Sequence, residues 1–155
     1  MKKSILFGLT AMLAALQVSA QSPAIREGNK LYKEGRFDEA LAAYEKATAK
    51  NPEDATAMYN RSNTLAKKGD KAGAMAGYEQ LITGAKEAAI RQRSYYDKGV
   101  LHQQQQQLDE RIDAWKSALK LDPEDSLARE NLEKALREKK NQEQKKDDKK
   151  KDQKD

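Results

Sequence analysis

These 155 residues contain no cysteine, which excludes disulfides, thiol catalysis and a lipid-modified cysteine at the start of the chain. Histidine is reduced to His102, at a packing position of a helix. No carboxylate–histidine cluster, glycine-rich phosphate loop or metal-ligand spacing accompanies it. The acidic run at 122–125 lacks the spacing of a calcium loop and reads as a helix break followed by a cap. No catalytic, metal-ligating or cofactor-binding residue is therefore expected, and the chain reads as a non-enzyme. Aromatics make up only 6% and prolines number three, which suits a helical array with a thin core better than a deep-cored globule.

Long apolar runs are also scarce. The only one, residues 5–16, follows Lys2 and Lys3 and precedes the small residues Val18, Ser19 and Ala20. It falls short of the roughly 20 residues a membrane span needs, so 1–20 reads as a signal peptide cut before Gln21. The expected mature protein is exported and periplasmic, with no transmembrane segment after cleavage.

An excess of one charge is missing from the body. The net charge of +5 resides in the leader and in residues 139–155, while 21–138 hold 20 basic and 20 acidic residues. A neutral body carries no electrostatic footprint for nucleic acid. From 141 to 155 there is no apolar residue, so this stretch is expected to be a disordered charged tail. Its alternating signs leave it at most weak contact with an anionic membrane surface.

What is present is a repeat. Residues 28–52, GNKLYKEGRFDEALAAYEKATAKNP, carry Gly28, Leu31, Gly35, Phe37, Ala40, Tyr44, Ala47 and Pro52. Gly28, Ala40 and Ala47 let helices approach closely, Tyr44 fills the space beside them, and Gly35 frees a tight turn. Pro52 stops the second helix. Gly69, Ala74 and Tyr78 recur 34 residues beyond Gly35, Ala40 and Tyr44. A third copy places Gly99, Leu108, Trp115, Ala118 and Pro123 at an offset of 71 from the first.

This order resembles the tetratricopeptide repeat (TPR), an antiparallel helix pair of about 34 residues. The resemblance implies an all-α TPR solenoid of three helix-turn-helix repeats, about 21–54, 55–88 and 92–125, with a capping helix 126–139 completing a domain of 21–140. The paired helices are expected at 23–34 and 37–50, 54–68 and 71–82, and about 86–105 and 108–121. Tyr44, Tyr78 and Trp115 share one repeat position and are expected in the core. Gly84 reads as the residue just past its helix. Gln106 replaces the turn glycine, so the third turn is expected to differ from the first two. Arg111 stands at an alanine position, with its stem packed and its head expected in water. In the last helix Leu127, Ala128, Leu132, Ala135 and Leu136 are expected to form one buried stripe beneath a polar outer face.

In the TPR family the first helices of the repeats line a concave groove that holds a partner segment. Mapped onto this chain, the groove positions are Asn29, Tyr32, Lys33, Tyr59, Asn60, Asn63, Lys67, Arg93, Tyr96, Asp97, Val100 and Gln103. Amides there can bond a peptide backbone, tyrosines supply contact area, and the cations favour a partner segment with some acidic residues. The carboxylate-clamp subclass is matched at Asn29, Asn60 and Arg93 but fails at Ile25 and Asp97, where cations belong.

A closer resemblance runs through IREGNKLYKEGRFDEALAAYEKA, NPEDATAMYNRSN, YYDKG and WKSALKLDPEDSLARENLEKAL to the Lys/Gln/Asp tail. This order is similar to the TPR proteins of the Bacteroides aerotolerance (Bat) operon. The likeness implies a protein–protein adaptor or scaffold in a bacterial envelope complex, its partners membrane-anchored von Willebrand A-domain proteins. The alternatives are a periplasmic holdase chaperone and an envelope tether that uses the Lys-rich tail.

Overall fold

In the computed structural model, the described residues are 22–152, with side chains described through 147. The expected leader, 1–20, and residues 153–155 lie outside them. Seven helices follow one another: α1 (Pro23–Lys33), α2 (Phe37–Lys50), α3 (Ala55–Lys67), α4 (Lys71–Gly84), α5 (Ala88–Gln104), α6 (Leu108–Leu121) and α7 (Ser126–Asp152). No strand occurs among the described residues, and no helix there is long and apolar enough to cross a membrane.

Short polar side chains start most of these helices by accepting an orphan N–H in the first turn. Ser22 accepts from Ile25 with Pro23 at the first helical position, and Asp54, Asp70 and Asp125 accept from Ala57, Gly73 and Ala128 at 2.8–3.0 Å. Helices α2 and α6 lack a side-chain cap. They place Asp38 and Glu39, or Asp109 and Glu110, in the first turn, where the helix dipole favours negative charge.

Each pair closes through the same turn. Gly35 and Gly69 sit at φ +75° and +86°, and the two N–H groups after each helix fold back onto it: Gly35 to Tyr32 and Arg36 to Leu31, then Gly69 to Ala66 and Asp70 to Leu65. The third turn is not different, as expected, but the same. Gln106 takes φ +59°, and Gln106 and Gln107 donate to Gln103 and His102. The two hydrogen bonds and the packing of α5 on α6 hold a residue in the left-handed region that its own preference disfavours.

The break before repeat 3 also departs from expectation. Gly84 is the last residue of α4, not the residue past it, and Ala85 leaves the helix at φ −68°, ψ 133°. Helix α5 therefore begins at Ala88, and Arg91 stitches the break by donating to the carbonyls of Ala85 (2.7 Å) and Lys86 (3.0 Å).

Burial follows the repeat. Tyr44, Tyr78 and Trp115 are buried, as are Ala40, Ala74 and Ala118 at the close helix contacts. The core is a chain of small clusters, each shared by neighbouring helices: Ile25, Leu31, Tyr44 and Ala57 across α1–α3, then Leu65, Tyr78 and Leu101 across α3–α5, then Ile112, Trp115 and Ala135 across α6–α7. A Cβ on Gly28 would lie 2.5 Å from the Tyr44 ring, and one on Gly99 would lie 2.4 Å from Trp115 Nε1, so only glycine admits these aromatics.

Three expectations about the far end are corrected. Arg111 does not hold its head in water: the side chain is buried, Nη2 donates to Glu138 of α7, and Nε has no partner. Leu127 and Leu136 are exposed, because α7 packs through Ala128, Leu132 and Ala135 and has no partner helix on its other side. The stretch from 141 to 152, expected to be disordered, continues α7. It contains no proline or glycine, and Lys, Glu and Gln are good helix formers that need only be continued from an anchored start. Glu133 lies 34 residues after Gly99, where the other first helices carry Gly28, Ser62 and Gly99, and it is exposed. A carboxylate at that place leaves no small-residue seat for the aromatic of a further helix, in keeping with the exposed outer face of α7.

The candidate partner-binding groove

Odd-numbered helices pack on one another as well as on their even partners: α3 touches both α1 and α5. They form the inner layer, and their free sides make one continuous surface. All twelve sequence-derived groove residues are at least partly exposed. Lys33, Lys67 and Gln103 lie in the last turns of α1, α3 and α5, so they line one rim, while Arg93 is in the N-terminal half of α5.

Behind this surface runs a hydrogen-bond pattern with the period of the repeat. The Tyr44 hydroxyl donates to Asn29 Oδ1 at 2.7 Å, and the Tyr78 hydroxyl donates to Asn63 Oδ1 at 2.6 Å. In the third copy both partners change together. Val100 holds the asparagine position, and Trp115 Nε1 donates to the Tyr96 carbonyl at 3.2 Å. Burial leaves the phenols neutral over a wide range, with Tyr44 pushed up to about 12 and Tyr78 raised as well. Asn60 Nδ2 then donates to Asn29 Oδ1 at 2.9 Å, joining α3 to α1. The three groove amides are thus already engaged in part within the protein. Asn29 and Asn63 are pinned from within by buried tyrosines, which leaves Asn29 Nδ2 as a donor and Asn60 Oδ1 as an acceptor on the surface.

Near the middle of α5, Asp97 accepts from the Tyr59 hydroxyl at 2.5 Å across to α3. Desolvation raises the Asp97 pKa, and the Tyr59 hydrogen bond and the more distant Arg93 charge lower it in part. Burial, helped by the Asp97 charge, also raises Tyr32, Tyr59 and Tyr78, so one carboxylate is felt by tyrosines from α1, α3 and α4. Tyr32 additionally packs edge-on against Phe37, with ring centroids 5.3 Å apart. The surface is therefore acidic at its centre and cationic toward its rims, which the residue list alone did not reveal.

One residue was missed. Asn131 of α7 donates to the Tyr96 hydroxyl at 3.2 Å and extends the surface onto the capping helix. Its signal was available, since Asn131 lies 34 residues after Asp97 at the same repeat position. A separate open depression of about 990 Å³ lies beside the start of α1 and the α2–α3 corner, lined in part by Lys46, Asn51, Glu53 and Glu87. No sequence pattern marked it. Among the described residues no group of acidic or histidine side chains could hold a metal ion.

Two tetratricopeptide-repeat family models match the sequence, over residues 25–90 and 92–125. No curated protein matches it significantly. Among solved structures, the chain is similar to the TPR2AB domain of yeast Sti1 in complex with pHSP90, at 26% identity and TM-score 0.70, covering 77% of this chain and 47% of that one. It is also similar to the first TPR domain of human RPAP3, at 25% identity and TM-score 0.66, covering 76% and 93% of the two chains. The first TPR of Spaghetti (RPAP3), bound to the HSP90 peptide SRMEEVD, shares the fold at 23% identity and TM-score 0.66, over 74% and 88%.

Proposed function

The chain belongs to the tetratricopeptide-repeat family, and from that premise we propose that it is a non-enzymatic adaptor holding a segment of a partner protein in its concave groove. The observation that carries this reading is the preset surface on α1, α3 and α5. Its asparagines are pinned from behind by tyrosines, and Tyr59 and Asp97 bridge two helices at its centre. Such fixed donors and acceptors lower the entropic cost of ordering a bound segment. The similarity to the Sti1 domain, solved in complex with a protein ligand, supports the same use of the fold.

The finer setting belongs to the same proposal. The leader-like residues 1–20 support export to a periplasm, and the likeness to aerotolerance-operon TPR proteins supports an envelope complex with membrane-anchored von Willebrand A-domain partners.

The test starts from protein purified from its native envelope, whose mass should begin at Gln21, together with the partner crosslinked to it. The triple variant Asn60→Ala, Arg93→Ala, Gln103→Ala avoids the buried tyrosine contacts and should weaken that partner at least about tenfold with little change in the melt. Removal of 141–155 should barely matter, because exposed charges contribute little at physiological salt. Binding that survives the triple variant and disappears with the tail would place recognition on α7 and support the tether. Suppressed aggregation of unrelated clients without a discrete partner would support the holdase.

A further inference from the structure

We propose that Asp97 selects the partner segment by its charge, and that the groove takes an extended peptide with a basic side chain, arginine above lysine, at its centre. This rests on the groove reading above and names what the groove recognises.

Four observations converge on it. Asp97 is half-buried near the middle of α5, and one carboxylate oxygen is held by the Tyr59 hydroxyl at 2.5 Å. Among the described residues no cation lies within ion-pairing distance of it, Arg93 one turn earlier on α5 acting only from farther away, although nine ion pairs form elsewhere on the molecule. Its neighbours at the same repeat position, Asn60 on α3 and Asn131 on α7, are neutral. Aromatic residues are close by: Tyr59 bonds it directly, Tyr96 precedes it on α5, and the hydroxyl of Tyr32 on α1 feels its charge.

A partly desolvated carboxylate with a single neutral donor is half of an ion pair. A guanidinium supplies what is missing, because its planar fork can bond the carboxylate while stacking on a tyrosine face. An acidic terminus at the same place would meet a negative charge that the more distant Arg93 compensates only in part. The body balances 20 cations against 20 acids, so this local charge is not overwhelmed by a field of the whole molecule.

The probe is a random-peptide display library, panned in parallel against the full chain, Asp97→Asn and Asp97→Arg. Wild type should enrich peptides with a central arginine or lysine, and those peptides should bind Asp97→Asn at least about tenfold more weakly. Asp97→Arg should enrich acidic peptides instead. Circular dichroism verifies that each variant is folded, and Tyr59→Phe, which keeps the ring and frees the carboxylate, should retain the basic preference. Wild type that enriches acidic peptides, or none, overturns the assignment. If Asp97→Asn keeps full affinity while the triple groove variant loses it, only the Asp97 role fails; if both keep it, the groove reading fails as well. A concentration-dependent dimer that Asp97→Asn dissolves would make the occupant the Lys-rich end of α7 in a second copy, and would overturn the choice of a separate partner.

Discussion

Gln106 occupies the left-handed region at a turn where the two earlier repeats use glycine. Its hydrogen bonds are those of the glycine turns, so the side chain contributes only strain. Gln106→Gly should relieve about 0.5–1 kcal/mol after the larger unfolded-state entropy of glycine is counted. The melting temperature should rise by about 2–5 °C, read by calorimetry, with binding unchanged. A fall would mean that the glutamine makes an interaction worth more than the strain. Sequence reasoning weighed the propensity of one residue and missed that two tertiary-supported hydrogen bonds would override it. The Tyr–Asn pairs were legible in another sense. Asn29 with Tyr44, Asn63 with Tyr78 and the joint exchange to Val100 with Trp115 all recur at one spacing. The sequence shows them only as separate groove and core positions, because nothing in a spacing says that a buried hydroxyl points toward the surface amide.

At the scale of elements, the six paired helices were legible to within three residues at each end, because caps, small residues and aromatics agree at every level. The seventh was legible at its start, Ser126, but not in its length. Composition marked its far half as unable to build a core, which is correct, and from this disorder was inferred. A helix already anchored by Ala128 and Ala135 extends without needing a core. That anchoring depends on Arg111. With Glu138 replaced by alanine, a buried guanidinium would be left without its carboxylate, and the cost should be about 1–3 kcal/mol, reduced from a fully buried pair because Glu138 is half exposed. Cutting the chain after Lys140 should shift stability by less than about 0.5 kcal/mol. Urea melts of both variants check this, and a truncation that costs as much as Glu138→Ala would show that the far half of α7 has contacts of its own.

For the whole molecule, the core is a succession of neighbour contacts, so stability is passed along the stack and not held in one centre. Ala74 has no exposed surface and sits in the middle of that succession. Ala74→Leu should overpack it by about 1–3 kcal/mol. Hydrogen exchange should then show α1–α2 and α5–α7 losing protection in separate steps, whereas a single concerted step, or an unchanged melt, would contradict the neighbour-only picture. The same succession gives Glu133 a significance beyond packing. Arrays of this kind can lengthen when a unit of coding sequence is copied in tandem, and the new hairpin inherits its seat from the old terminus. Here the seat is occupied by a carboxylate where every earlier unit keeps glycine or serine. A copied unit added after α7 would meet a carboxylate where its aromatic needs a small residue, so growth at that end would call for a change at position 133 as well.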